Sequence, residues 1–187
     1  MSRQLAHFDL ITARLFVAVG PPPEVVRVLA GLPRPEEPGV RWVPAGQWHV
    51  TLRFLGDADA TAVAAALGDA DLPGATARVG PRVGRFGRAA VVVPVDGLEH
   101  LAAAVATATA ELGEPPGPRG FTGHLTLGRL RRRGACRLTG TAVRASFPVR
   151  EVSLVSSALT AAGAEHRVLR RFPVGVGGGG AEVPRNA

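Results

Sequence analysis

HVTLRFLG at residues 49–56 and HLTLGRL at residues 124–130 carry one phrase twice, their histidines 75 positions apart. Each copy alternates polar and apolar residues, the period of a half-buried strand, because successive side chains on a strand point to opposite faces. In the first copy, strict alternation predicts His49, Thr51 and Arg53 on one face and Val50, Leu52 and Phe54 on the other. In the second it groups His124 with Thr126, leaving Leu125 and Leu127 for burial. One face of each strand is therefore chemical and the other is core, and the two chemical faces are expected to meet across a cleft.

The flanking segments predict the body that carries these strands. ARLFVAVG (13–20) reads as a buried strand, and the prolines at 21–23 can start a helix over 24–32. GVRWVP (39–44) reads as a further strand. The first histidine strand is expected to close at Gly56, before an Ala-rich helix over 58–68 with Asp57 or Asp59 near its start. Residues 75–84 and 89–95 read as strands separated by a turn at GRFGR (84–88), and 98–112 as a helix. GEPPGPRG (113–120) is too rich in Pro and Gly for regular structure. Two last strands are predicted over 147–159 and 165–174, joined by a turn containing Gly163. The resulting fold class is α+β: two pseudo-symmetric lobes of mostly antiparallel sheet, helices outside, one histidine phrase per lobe. Residues 1–174 are expected to form this single bilobal domain, with 1–12 an N-terminal extension and 175–187 a disordered Gly-rich tail.

Composition narrows the chemistry. With 187 residues, 46% of them apolar, the chain can bury a substantial core. No run approaches the roughly 18–20 apolar residues of a membrane span, and His7, Asp9 and Arg14 interrupt any signal-like N-terminus, so a cytoplasmic, membrane-free protein is expected. The single Cys136 has no disulfide partner and no cysteine companion for a metal knuckle, and reads as a small half-buried side chain. The formal net charge is +7, and all 22 basic residues are Arg. The absence of Lys excludes lysyl-nucleotide ligases, Schiff-base enzymes and Walker A sites. An Arg excess suits phosphate or nucleic acid, although a GC-rich genome also enriches Arg, Ala, Gly and Pro.

The repeated phrase and its flanks resemble the two-histidine (2H) phosphoesterase superfamily, specifically the RNA 2',3'-cyclic phosphodiesterases also called 2'-5' RNA ligases or LigT-like proteins. RLFVAVGPP (14–22), VRWVPAGQWHVTLRFLG (40–56), FTGHLTLGRLR (121–131) and VSLVSSALTAAGAEHRVLRRFPV (152–174) carry that resemblance over most of the chain. Three positions depart from the family pattern. Arg53 stands where Lys is frequent, Gly123 where Pro usually precedes the second histidine, and His166 where Tyr is common.

The resemblance implies hydrolysis of an RNA 2',3'-cyclic phosphate end to a 2'-phosphate. His49 would be the proton donor to the leaving 3' oxygen and His124 the proton acceptor from water. Opening such a ring needs one acid and one base, and two imidazoles near neutrality can supply both without metal or cofactor. Thr51 and Thr126 would give hydroxyl hydrogen bonds to the phosphoryl oxygens. Arg129 would add charge, although strict alternation puts it on the opposite face from His124, so a bulge or twist is needed for it to reach. Phe121 is a candidate for base stacking, with packing beneath the lobe as the alternative. The same groups run backwards would join a cyclic phosphate to a 5'-hydroxyl without ATP. No metal is expected, since no carboxylate lies within four residues of His124 and none nearer His49 than Asp57. The expected partner is RNA with a cyclic phosphate end, tRNA fragments being one candidate, and the expected state is a monomer. The alternatives are a phosphodiesterase for a small cyclic nucleotide or an ADP-ribose cyclic phosphate, and a noncatalytic RNA-binding module. His7, His100 and His166 are assigned structural or solvated positions.

Overall fold

The computed structural model describes residues 13–115, 120–131, 136–160 and 163–175. The expected extension over 1–12, and all but Gly175 of the expected tail, lie outside these residues. Strand β1 (Ala13–Val19) leads into α1 (Pro23–Ala30), whose first turn opens on the proline run. Next come β2 (Val40–Trp42), a 3-10 turn (Ala45–Gln47) and β3 (Val50–Ala58). Helix α2 (Ala60–Asp69) starts at Asp59, whose carboxylate accepts from the Thr61 and Ala62 amides. β4 (Ala75–Val79), β5 (Gly84–Phe86), β6 (Ala90–Asp96) and α3 (Glu99–Ala108) follow. The chain ends in β7 (His124–Leu130), β8 (Ala145–Val149), β9 (Glu151–Thr160) and β10 (Gly163–Pro173).

All the strand pairings are antiparallel, and the main path runs β10-β9-β1-β3-β7-β6-β4-β8, with β2 alongside β7 and β5 alongside β6. The α+β reading holds, with four strands of the main path in each half. The two histidine strands are the central neighbours β3 and β7, joined at one pair, Val50 opposite Leu125. Antiparallel register then sets Thr51 level with His124 and His49 level with Thr126.

Three expectations change. GRFGR is not simply a turn: Gly84–Phe86 is strand β5 in a hairpin with β6, and Gly87, at φ 59°, turns it. The run read as one strand over 147–159 is two strands, split at Arg150, which carry the chain from β4's side of the sheet to β1's. Pro148 fits that break because, among the described residues, β8 pairs only with β4, and an edge strand can forgo one amide. Finally, β3 runs past Gly56, which takes φ 63°, to Ala58.

One continuous core occupies the helix side of the sheet, from Leu15, Val17 and Val19 to Leu125, Leu127 and Phe172. By area, fully burying each such Leu stabilises by about 1.5–3 kcal/mol. On the opposite side of β1, Phe16 and Ala18 form a separate small cluster with Val155 of β9. That second side carries the histidines.

Candidate active site

Each histidine is fixed by the residues just before it. Pro44 precedes the 3-10 turn that directs Gln47, and the buried Trp48 locks the turn, its indole N–H donating to the Val43 carbonyl at 3.0 Å. The Gln47 carbonyl then accepts from His49 Nδ1 at 2.7 Å. In the other half, Phe121 packs half-buried on the main core, and the Thr122 carbonyl accepts from His124 Nδ1 at 2.8 Å. Since a carbonyl can only accept, both Nδ1 atoms carry hydrogen, and Nε2 of each ring is the atom left to exchange a proton.

Gly123 departs from the family's usual Pro for a visible reason. A Cβ there would strike the Val95 carbonyl of β6, whose amide donates back to the Gly123 carbonyl at 2.9 Å. Gly128, four residues after His124, is required by the Trp42 ring, 2.9 Å from where its Cβ would sit.

Strict alternation fails in both histidine strands, and it fails in the same way. In β3, Ala18 pairs with Thr51 and Val17 with Arg53, so Leu52 is an extra residue. In β7, Val92 pairs with Thr126 and Val91 with Gly128, so Leu127 is extra. A bulge of this kind reverses the faces beyond it. Arg53 consequently leaves the face of His49: it is 5% exposed and donates to the carbonyls of Ala106, in the last turn of α3, and of Leu112 and Glu114 just beyond it. Phe54, expected in the core, is on the histidine side and exposed. The bulge at Leu127 brings Arg129 to the face of His124 and Thr126, the irregularity that its expected role required.

The field at His49 shows how closely these groups gather. Burial, foremost, holds its imidazole below the ordinary value of 6.5, opposed by the Gln47 hydrogen bond, which raises it. The positive charges of His166, Arg129 and His124 lower it further. His166 was expected to be structural or solvated, but its ring lies edge-on to His49 with centroids 5.1 Å apart. Phe16 contacts both rings, at 4.9 Å from His49 and 5.1 Å from His166. The His166 pKa is also lowered, by burial and then by Arg129, and its Nδ1 is buried without a hydrogen-bond partner among the described residues. Sequence reading missed this contact because His166 is more than 100 residues from His49 and lies on β10, two strands beyond β1.

Phe121 faces the core, and the ring lying on His124 is Phe86, stacked at 4.3 Å with 11° between planes. Its location within GRFGR, read as a turn, concealed it. A cleft of about 640 Å³ opens beside His49, with Phe16, Trp48, Val155, His166 and Val168 among its walls. Thr51 and Thr126 are half-buried and Arg129 is exposed.

The antiparallel α+β sheet carries the two HxT phrases on its neighbouring central strands β3 and β7. Residues 18–80 match the family model described as LigT like Phosphoesterase. The fold agrees along most of the chain: Escherichia coli LigT, solved with 3'-AMP, is 27% identical with a TM-score of 0.69, over 87% of this chain and 98% of LigT. TT0787 of Thermus thermophilus is 28% identical with a TM-score of 0.68, over 86% of this chain and 97% of its own. No curated protein sequence matches. By matched segment and fold the chain is similar to the LigT-like phosphoesterases. No helix among the described residues is long and apolar enough to cross a membrane.

Proposed function

We propose that the protein hydrolyses RNA 2',3'-cyclic phosphate ends to 2'-phosphates by metal-independent acid and base catalysis. The observation that carries this reading is the matched pair of imidazoles on neighbouring strands. Each is fixed through Nδ1 to the carbonyl two residues before it, leaving Nε2 to move a proton. His124 takes a proton from water as the water oxygen bonds to phosphorus. His49 gives one to the ribose 3' oxygen as the P–O3' bond breaks, so the phosphate remains on O2'. Thr51 and Thr126 donate hydrogen bonds to the non-bridging oxygens, and Arg129 offsets the charge that accumulates there. A 5'-hydroxyl in place of water opens the ring in the same way, its oxygen bonding to phosphorus as the P–O3' bond breaks, and forms a 2'-5' linkage. Among the described residues no three His, Cys, Asp or Glu gather as a metal-binding set.

The test is an RNA with a 2',3'-cyclic phosphate end, incubated in EDTA, with the product end identified. The parent is expected to form a 2'-phosphate, and His49→Ala and His124→Ala each to lose about 10²- to 10⁴-fold in kcat. Full activity in either variant, or activity abolished by the chelator, overturns the mechanism.

A further inference from the structure

The bulge that withdraws Arg53 from the histidine face brings Phe54 onto it. Phe54 is 42% exposed, although it stands in a strand whose other large apolar residues are buried. It lies directly opposite Phe16, which contacts both His49 and His166. Opposite residues of an antiparallel pair share a face, so Phe54 opens on the same side as the two histidines. The motifs therefore read His-x-Thr-x-x-Phe in one half and His-x-Thr-x-x-Arg in the other, with Phe54 at the place Arg129 holds in its own strand. Arg14, two residues before Phe16 and on the same face of β1, sets its guanidinium carbon 5.5 Å from the centre of the Phe54 ring. The core lies on the other side of the sheet and gains nothing from this ring.

We propose that Arg14 and Phe54 form a stacking platform for the base of the nucleotide that precedes the cyclic phosphate end of a single-stranded RNA. The inference rests on the function proposed above and narrows its substrate to an oligonucleotide. An aromatic face takes any base, and a guanidinium takes either a base plane or a phosphate oxygen. At about 3.3 Å per residue, Phe54 sits roughly 7–10 Å along β3 from Thr51, once the bulged residue is allowed for. That is beyond a cyclised nucleotide held between the histidines, and within reach of the next base. Asp57, opposite Arg14, ends the apolar stretch on that side.

The test compares kcat/KM for a 2',3'-cyclic mononucleotide with that for a short oligoribonucleotide ending in the same cyclic nucleotide. Phe54→Ala is expected to lower the oligonucleotide value about 5- to 100-fold, through KM, and to leave the mononucleotide value unchanged. Phe54→Trp should recover the loss, and Arg14→Gln should weaken the oligonucleotide alone. Unchanged mononucleotide turnover also reports that each variant is folded. Equal losses on both substrates, or none on either, overturn the platform while leaving the two-histidine reaction standing. A parent protein that opens neither substrate overturns the reaction and the platform with it.

Discussion

Burial, and then His166 and Arg129, lower the pKa of His49 in the free protein, yet its proposed task is to donate a proton. The two fit if substrate supplies the compensating charge, because an anionic phosphate beside an imidazole favours its protonated form. A donor must be protonated, so kcat/KM should fall as pH rises through the free-protein pKa of His49, below 6.5. The corresponding limb of kcat, which reports the bound state, should lie at higher pH. Histidine NMR titration measures this directly. The His49 midpoint is expected below 6.5 in free protein, to rise with inorganic phosphate, and to rise also in His166→Phe, which keeps a ring and removes one cation. A free-protein midpoint at or above 6.5 would contradict this account.

At the scale of single elements, the β3 bulge assigns opposite duties to adjacent residues, Arg53 to the fold and Phe54 to the site face. Arg53 ties β3 to the Ala106 carbonyl in the last turn of α3, where helix carbonyls lack intrahelical donors, and to the Leu112 carbonyl in the segment that follows. Arg53→Met keeps much of the apolar stem but takes the donor away from those carbonyls. It should destabilise by about 2–4 kcal/mol, read as a lower denaturant midpoint at unchanged m. A loss under about 0.5 kcal/mol, the range of ordinary surface substitutions, would mean that the guanidinium contributes little there. The histidine strands themselves were legible as strands from their alternation. Their bulges were not, because Leu52 and Leu127 are as apolar as a regular strand would have them, and only pairing with β1 and β6 shows each to be supernumerary.

Over the whole molecule, 22 arginines against 15 acidic residues leave a charge of +7 with no lysine. If RNA beyond the scissile phosphate is bound, oligonucleotide turnover should fall steeply with salt, since each phosphate neutralised by Arg releases counterions. A cyclic mononucleotide offers one phosphate, and its kcat/KM should fall much less. Parallel salt slopes for the two substrates would confine binding to the histidine cleft. The two halves meet along β3 and β7 through one strand pair and a shared core, so phrases 75 residues apart in sequence become adjacent.

The sequence by itself determined the α+β class, an Ala-rich helix with Asp57 or Asp59 near its start, and the two histidine strands. These are local matters, set by periodicity, capping and residue type over a few positions. Only the tertiary structure decided that Arg129 and Phe54 reach the histidine face and Arg53 does not, that Phe86 covers His124, and that His166 abuts His49. Each of those depends on a register between strands or on a contact across the sheet, and both are settled by which neighbouring strand supplies the hydrogen bonds.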